Sequence, residues 1–106
     1  MRAVLVLVVA FGCSSSGPNV GDMCGFNRPV CDESLSCMSS VSGGYCTTVC
    51  STSGSTSECP QGSVCDNVAT LGFVCLKICG SLDDCGRTDV TCTAVTGSTL
   101  HACKPK

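Results

Sequence analysis

Thiol chemistry dominates this chain: 13 of its 106 residues are cysteine, against one histidine, one tyrosine and no tryptophan. A thiol can form a disulfide, ligate a metal as thiolate, act as a nucleophile or redox centre, or carry a lipid. Spacing separates these uses. There is no Cys-x2-Cys step, which argues against a thioredoxin-type redox centre and the common iron–sulfur patterns. Structural zinc sites use Cys-x2–4-Cys knuckles with matching partners. Only Cys46-Thr-Thr-Val-Cys50 and Cys75-Leu-Lys-Ile-Cys79 have such a gap, and they read as joins between larger groups. No metal and no cofactor is expected, and the cysteines are read as a disulfide framework.

From Cys24 onward the gaps are six, five, eight, three, eight, five, nine, three, five, six and ten residues. Cutting at the two three-residue gaps gives three groups of four. These are Cys24, Cys31, Cys37, Cys46; Cys50, Cys59, Cys65, Cys75; and Cys79, Cys85, Cys92, Cys103. Their first cysteines are 26 and 29 residues apart, which predicts three tandem units, 24–46, 50–75 and 79–103. Other residues keep the same frame. Ser57-Glu58 and Asp83-Asp84 precede the second cysteine of units two and three, while unit one has Pro29-Val30 there. Gly44-Tyr45, Gly72-Phe73-Val74 and Leu100-His101-Ala102 precede the fourth.

Other candidates for chemistry are sparse. His101 is the single histidine and occupies the position of Tyr45 and Phe73-Val74, so it reads as a packing residue rather than a general base. Asp22, Asp32, Glu33, Asp83, Asp84 and Asp89 lack the convergent spacing that calcium requires, and are read as solvated turn residues. Ser51-Thr-Ser-Gly-Ser-Thr-Ser57 is read as an enlarged exposed loop. No catalytic residue emerges, and the chain is read as a non-enzyme.

These residues must be positioned with little apolar material. Beyond residue 12, Leu, Ile, Val and Phe number 17 of 94 residues. A chain so poor in aliphatics needs cross-links in place of a large core. No apolar i, i+3, i+4 pattern runs beyond two turns, so helix is not expected outside the first residues. Short strands are expected at 44–49, 72–78 and 91–95, forming small two-stranded ribbons. The fold class is small and disulfide-rich. If each unit closes on itself, three pairings per unit remain. First-to-third with second-to-fourth is favoured: Cys24–Cys37, Cys31–Cys46, Cys50–Cys65, Cys59–Cys75, Cys79–Cys92 and Cys85–Cys103.

Cys13 stands outside this frame. It follows Met-Arg and the apolar run Ala3-Val-Leu-Val-Leu-Val-Val-Ala-Phe11, then Gly12. About nine apolar residues fall well short of the ~20 needed for a transmembrane helix and read as an export signal. Val8, Val9, Ala10, Gly12 and Cys13 resemble a bacterial lipoprotein signal. That resemblance implies diacylglyceryl transfer to the Cys13 sulfur, cleavage after Gly12 and acylation of the new amino group. Segment 1–12 is then the signal peptide, 13–23 a lipidated flexible tether, and 24–106 the disulfide-rich domain. The signal is short, as expected if the true start of translation differs from Met1. Ser14 after the cysteine points to the outer membrane rather than the inner. The alternative is an ordinary secretory signal with Cys13 inside the mature chain.

Within 24–103, Glu58-Cys59-Pro60-Gln-Gly62-Ser-Val-Cys65 and Asp83-Asp84-Cys85-Gly86 resemble the Dickkopf-N-terminal-like or EGF-like modules of myxobacterial cysteine-rich lipoproteins. Without Arg2 the chain has five basic and eight acidic groups, a net charge near −3, with no basic stripe. Nucleic acid is therefore not an expected partner. The expectation is a non-enzymatic, lipid-anchored cell-envelope protein, a structural or binding module whose constrained loops meet an unidentified protein or glycan or simply form a durable surface structure. A secreted protease inhibitor or toxin-like effector is the alternative, with 51–58 as its contact loop.

Overall fold

The computed structural model describes residues 18–106. Among them, six short strands carry the fold: β1 (Ser36–Cys37), β2 (Cys46–Thr47), β3 (Ser63–Val68), β4 (Gly72–Cys79), β5 (Val90–Ala94) and β6 (His101–Pro105). One 3-10 turn, Leu82–Cys85, is the only helical element among the described residues. No helix among them is long and apolar enough to cross a membrane.

Six disulfides close the three cysteine groups separately. They are Cys24–Cys37, Cys31–Cys46, Cys50–Cys65, Cys59–Cys75, Cys79–Cys92 and Cys85–Cys103. Each group also contains an antiparallel ribbon with one shared register. Cys37 lies opposite Cys46, Cys65 opposite Cys75, and Cys92 opposite Cys103. Directly opposed residues share a face of the ribbon. Each pair of facing cysteines therefore reaches back to the first and second cysteines, strapping the segment between those two across the ribbon. Sequence separations of 13 to 18 residues correspond to a stabilisation on the order of 3 kcal/mol per link in the chain-entropy treatment.

The ribbons are not equal or independent. The first is only two residues per strand, whereas β3 and β4 pair over six positions. The expected strand 44–49 contracts because Gly43 and Gly44 sit at φ 76° and 75°, outside the extended region. Gly44 is also required sterically, since a Cβ there would collide with the Cys24 carbonyl and come within 2.8 Å of its sulfur. The second and third ribbons merge rather than standing alone: Ile78 and Cys79 of β4 pair with Ala102 and His101 of β6, giving one sheet in the order β3-β4-β6-β5.

Loops and the first group cover this sheet, so β3 buries four residues in succession instead of alternating. Residues 18–22 belong to the folded body and not to a tether. Val20 is buried, Gly21 N–H donates to Cys46 O, Cys46 N–H donates to Asp22 O, and Asp32 N–H donates to Pro18 O. Val20, Val41, Val64, Val74, Leu76, Val90, Val95 and Ala102 form one core that crosses all three groups. The residue before each fourth cysteine, Tyr45, Val74 or Ala102, is fully buried. His101 is displaced from that position by one residue and lies exposed on β6.

Tyr45 knits the groups together. Its hydroxyl donates to Cys103 O at 2.6 Å and accepts from Lys77 N–H at 3.2 Å, so one atom joins all three. Burial pushes the hydroxyl up to about 12, against the opposing pull of the Lys77 amide and the Arg87 charge. Arg87, itself 7% exposed, lies 5.6 Å from the Tyr45 ring centroid. It donates to Gly21 O and Ser42 O at 3.0 and 2.9 Å and forks onto Asp89 at 2.6 and 2.8 Å. Thr47 adds a further link by donating its hydroxyl to Cys75 O. Truncating Tyr45→Phe leaves the ring but removes a partner from Cys103 O and Lys77 N–H. The expected loss is about 1–3 kcal/mol, read as a lower guanidinium midpoint for the oxidised protein. An unchanged midpoint would show that the hydroxyl carries no stability.

Candidate functional site

Three strapped segments present themselves as candidate sites, at 25–30, 51–58 and 80–84. All lie between the first and second cysteines of their groups. They differ in what holds them between the straps.

In the second group, Glu58 accepts from Ser51 N–H and Thr52 N–H, both at 3.0 Å, and from the Ser51 hydroxyl at 2.7 Å. These backbone and side-chain bonds from Ser51 and Thr52 hold the carboxyl below its ordinary value of 4.5. In the third group, Asp84 accepts from Gly80 N–H at 2.7 Å and Ser81 N–H at 3.2 Å, which lowers it below 3.8. Both carboxylates precede the second cysteine and bind the amides that follow the first. Asp84 also serves the start of the 3-10 turn as the distal acceptor of a capping box. Glu58 and Asp84 are therefore clamps for their loops rather than merely solvated turn residues.

The segment 51–58 is further drawn onto the sheet. Gly54 N–H donates to Cys65 O, Cys65 N–H to Ser55 O, and the Ser53 hydroxyl to Asp66 and to Thr96 O. Ser53, Gly54 and Ser55 are consequently half-buried, which corrects the expectation of a freely exposed loop. Asp66 beneath it is 1% exposed. Burial alone would raise its pKa, but the Lys104 ammonium at 2.6 Å, the Ser53 hydroxyl and the Asn67 amide together lower it. The pair Asp66–Lys104 joins β3 to β6 and is a structural ion pair.

Several sulfurs lie close enough to suggest metal clusters, including Cys24, Cys31 and Cys37, and Cys50, Cys65 with Glu58. Every cysteine in those clusters is disulfide-bonded and offers no thiolate. Among the acidic candidates, Asp89 is engaged by Arg87, whose hydrogen bonds hold its carboxyl low. Asp22 accepts from Asn19 N–H at 2.8 Å, and Asp32 accepts from the Ser34 hydroxyl at 3.0 Å. Asp22 and Asp32 share an open groove of about 350 Å³ with Lys77, Leu35 and Gln61, between the first and second groups. His101 is on the sheet, away from this groove's lining.

The first group's segment is built differently. Val30 replaces the carboxylate before the second cysteine. The loop instead turns through Asn27, at φ 62°, with Arg28 N–H donating to Gly25 O. Residues 25–30 are all exposed, and beneath them lies a mainly apolar cavity of about 230 Å³ lined by Cys24, Pro29, Val30, Leu35 and Cys37. Cys13 and the segment 1–12, expected to be a signal peptide, fall outside the described residues, as do positions 14–17. A scan against protein-family models and searches of curated proteins and of solved structures find no match to the chain.

The clamp carboxylates give a signed pH dependence. Their folded-state pKa values are depressed, so their support is complete above the ordinary carboxylate range and is lost as pH falls through the folded values. Amide-exchange protection of Thr52 and Ser81, corrected for intrinsic rates, should fall on acidification through that window. Glu58→Gln and Asp84→Asn should show reduced protection already at pH 7. Protection that is flat with pH and unaffected by both substitutions would remove the clamp role.

Proposed function

We propose that this is a non-enzymatic, lipid-anchored cell-envelope protein, built as three tandem four-cysteine units that display constrained loops to a protein or glycan. One observation carries the anchor: Cys24 through Cys103 pair completely among themselves, which leaves Cys13 without an intrachain cysteine partner. An odd cysteine in an exported chain calls for a separate chemistry. The preceding apolar run and Gly12 suit thioether lipidation, and a diacylglyceryl group plus an amide-linked chain gives stable anchoring.

The displayed surface supports a binding role over a catalytic one. Asp66, Asp89, Glu58 and Asp84 are each occupied by fold-stabilising partners, and Arg87 is consumed by Asp89 and two carbonyls. Short strapped loops also resist proteolysis, because local unfolding to fit a protease cleft is opposed by links at both ends.

Intact-mass analysis of protein from native envelopes tests the reading. Reduction should add 12 hydrogens, two for each of the six disulfides, and the peptide beginning at Cys13 should carry the lipid mass. Cys13→Ser should move the protein from the membrane to the soluble fraction. A soluble native protein with an unmodified Cys13 would overturn the anchor and favour a secreted effector.

A further inference from the structure

The segment 23–30 concentrates exposed apolar surface. Phe26 is 92% exposed, Val30 84% and Met23 36%, three of the six large apolar residues exposed among those described. They are not on a loose tail. Cys24 and Cys31 fix both ends of the loop to Cys37 and Cys46, and the turn is closed by Arg28 N–H to Gly25 O at 3.1 Å. The Arg28 guanidinium is held beside the Met23 sulfur, at 3.2 Å, and is the loop's only charged group. A rigid turn carrying an aromatic, an aliphatic and one cation, with no carboxylate within 24–31, has the composition of an interfacial contact.

Chain geometry says which surface it meets. Pro18 O accepts from Asp32 N–H at 2.9 Å, so the start of the folded body lies against the base of this loop. Pro18 is five positions beyond Cys13, and a fully extended chain spans at most about 18 Å over that distance. A lipid on Cys13 sits at the headgroup level, which holds the 25–30 loop close to the bilayer surface. The anchored chain, without Arg2, has a net charge near −3, which gives the body as a whole no attraction for anionic lipid. The contact must then come from this apolar tip and its arginine.

We propose that loop 25–30 is a membrane-contact element: Phe26 and Val30 enter the headgroup–acyl boundary while Arg28 meets lipid phosphate, fixing the orientation of the anchored domain. This rests on the lipid-anchor reading above. The 51–58 and 80–84 loops belong to the other two cysteine groups and are not part of this contact.

The absence of tryptophan from the chain permits a single-reporter test. Mature Phe26→Trp protein purified from native envelopes is reconstituted into phosphatidylethanolamine/phosphatidylglycerol vesicles containing brominated acyl chains. The control is Phe73→Trp, a partly exposed site on β4 in the second cysteine group, outside the 25–30 loop. Insertion to ~5–10 Å depth predicts a roughly twofold loss of indole emission from the Phe26→Trp protein, with emission from the Phe73→Trp control unchanged. Vesicle flotation is read on the same samples. Flotation with no quenching of the loop reporter, or with equal quenching at both sites, overturns the loop contact while the anchor stands. Failure to float overturns the anchor, and the loop proposal falls with it. A crosslink from the loop to another protein in native envelopes, together with no quenching by brominated lipid in vesicles, overturns the lipid assignment in favour of a protein occupant.

Discussion

In each cysteine group the third and fourth sulfurs face one another across a ribbon yet bond to cysteines earlier in the chain. That choice sets the architecture. A bond straight across the ribbon would only reinforce hydrogen bonds that the strands already make. Reaching back to the first and second cysteines instead ties a separate loop onto the ribbon's face at two points. The unfolded chain loses closure entropy, and the folded state acquires a second layer without needing an apolar one. Six such links, each on the order of 3 kcal/mol, are together comparable with the 5–15 kcal/mol net stability of an ordinary domain. Cross-linking therefore compensates for a thin aliphatic core.

Disulfides within groups say nothing about how groups are held to each other, and here ordinary side-chain chemistry takes over. Tyr45 brings a hydroxyl from the first group to a carbonyl of the third and an amide of the second. Arg87 covers its ring and returns to carbonyls of the first group. An arginine suits this position because its planar fork serves Asp89 bidentately while still reaching two carbonyls, a geometry that a lysine ammonium cannot reproduce. Asp66 and Lys104 tie the second and third groups in the same manner. The polar interior is thus organised as inter-group fastenings around a thin apolar core.

The cysteine spacing made the fold class and the within-group pairing legible, because sulfur has one dominant use in a framework of this kind. The ribbons were partly legible: β4 and β5 stand close to the expected strands, whereas β3, which carries Asp66 and Asn67, was not among them, and its buried carboxylate is balanced by Lys104. That compensating charge is 38 residues away in the chain, which no local pattern reveals. The same limit hid the Tyr45–Arg87 pairing and the union of two ribbons through Ile78 and Ala102. Glu58 and Asp84 recurred visibly before the second cysteine, but their task depends on amides seven and four residues earlier being turned toward them.

The three loops share one set of straps, so their differences isolate what is not required by the framework. Two loops spend a carboxylate on their own backbone, and one of those is also pressed onto the sheet through Ser53 and Gly54. The first loop gives up that clamp for Val30, places Asn27 in a left-handed turn, and leaves Phe26 in water. Exposing large apolar groups weakens solubility and does nothing for a fold already closed by Cys24–Cys37 and Cys31–Cys46. A departure that costs solubility without helping the fold is best understood as serving a contact outside the chain. With Cys13 lipidated as proposed, its position beside the segment that leads to Cys13 would make the bilayer the nearest surface able to satisfy it.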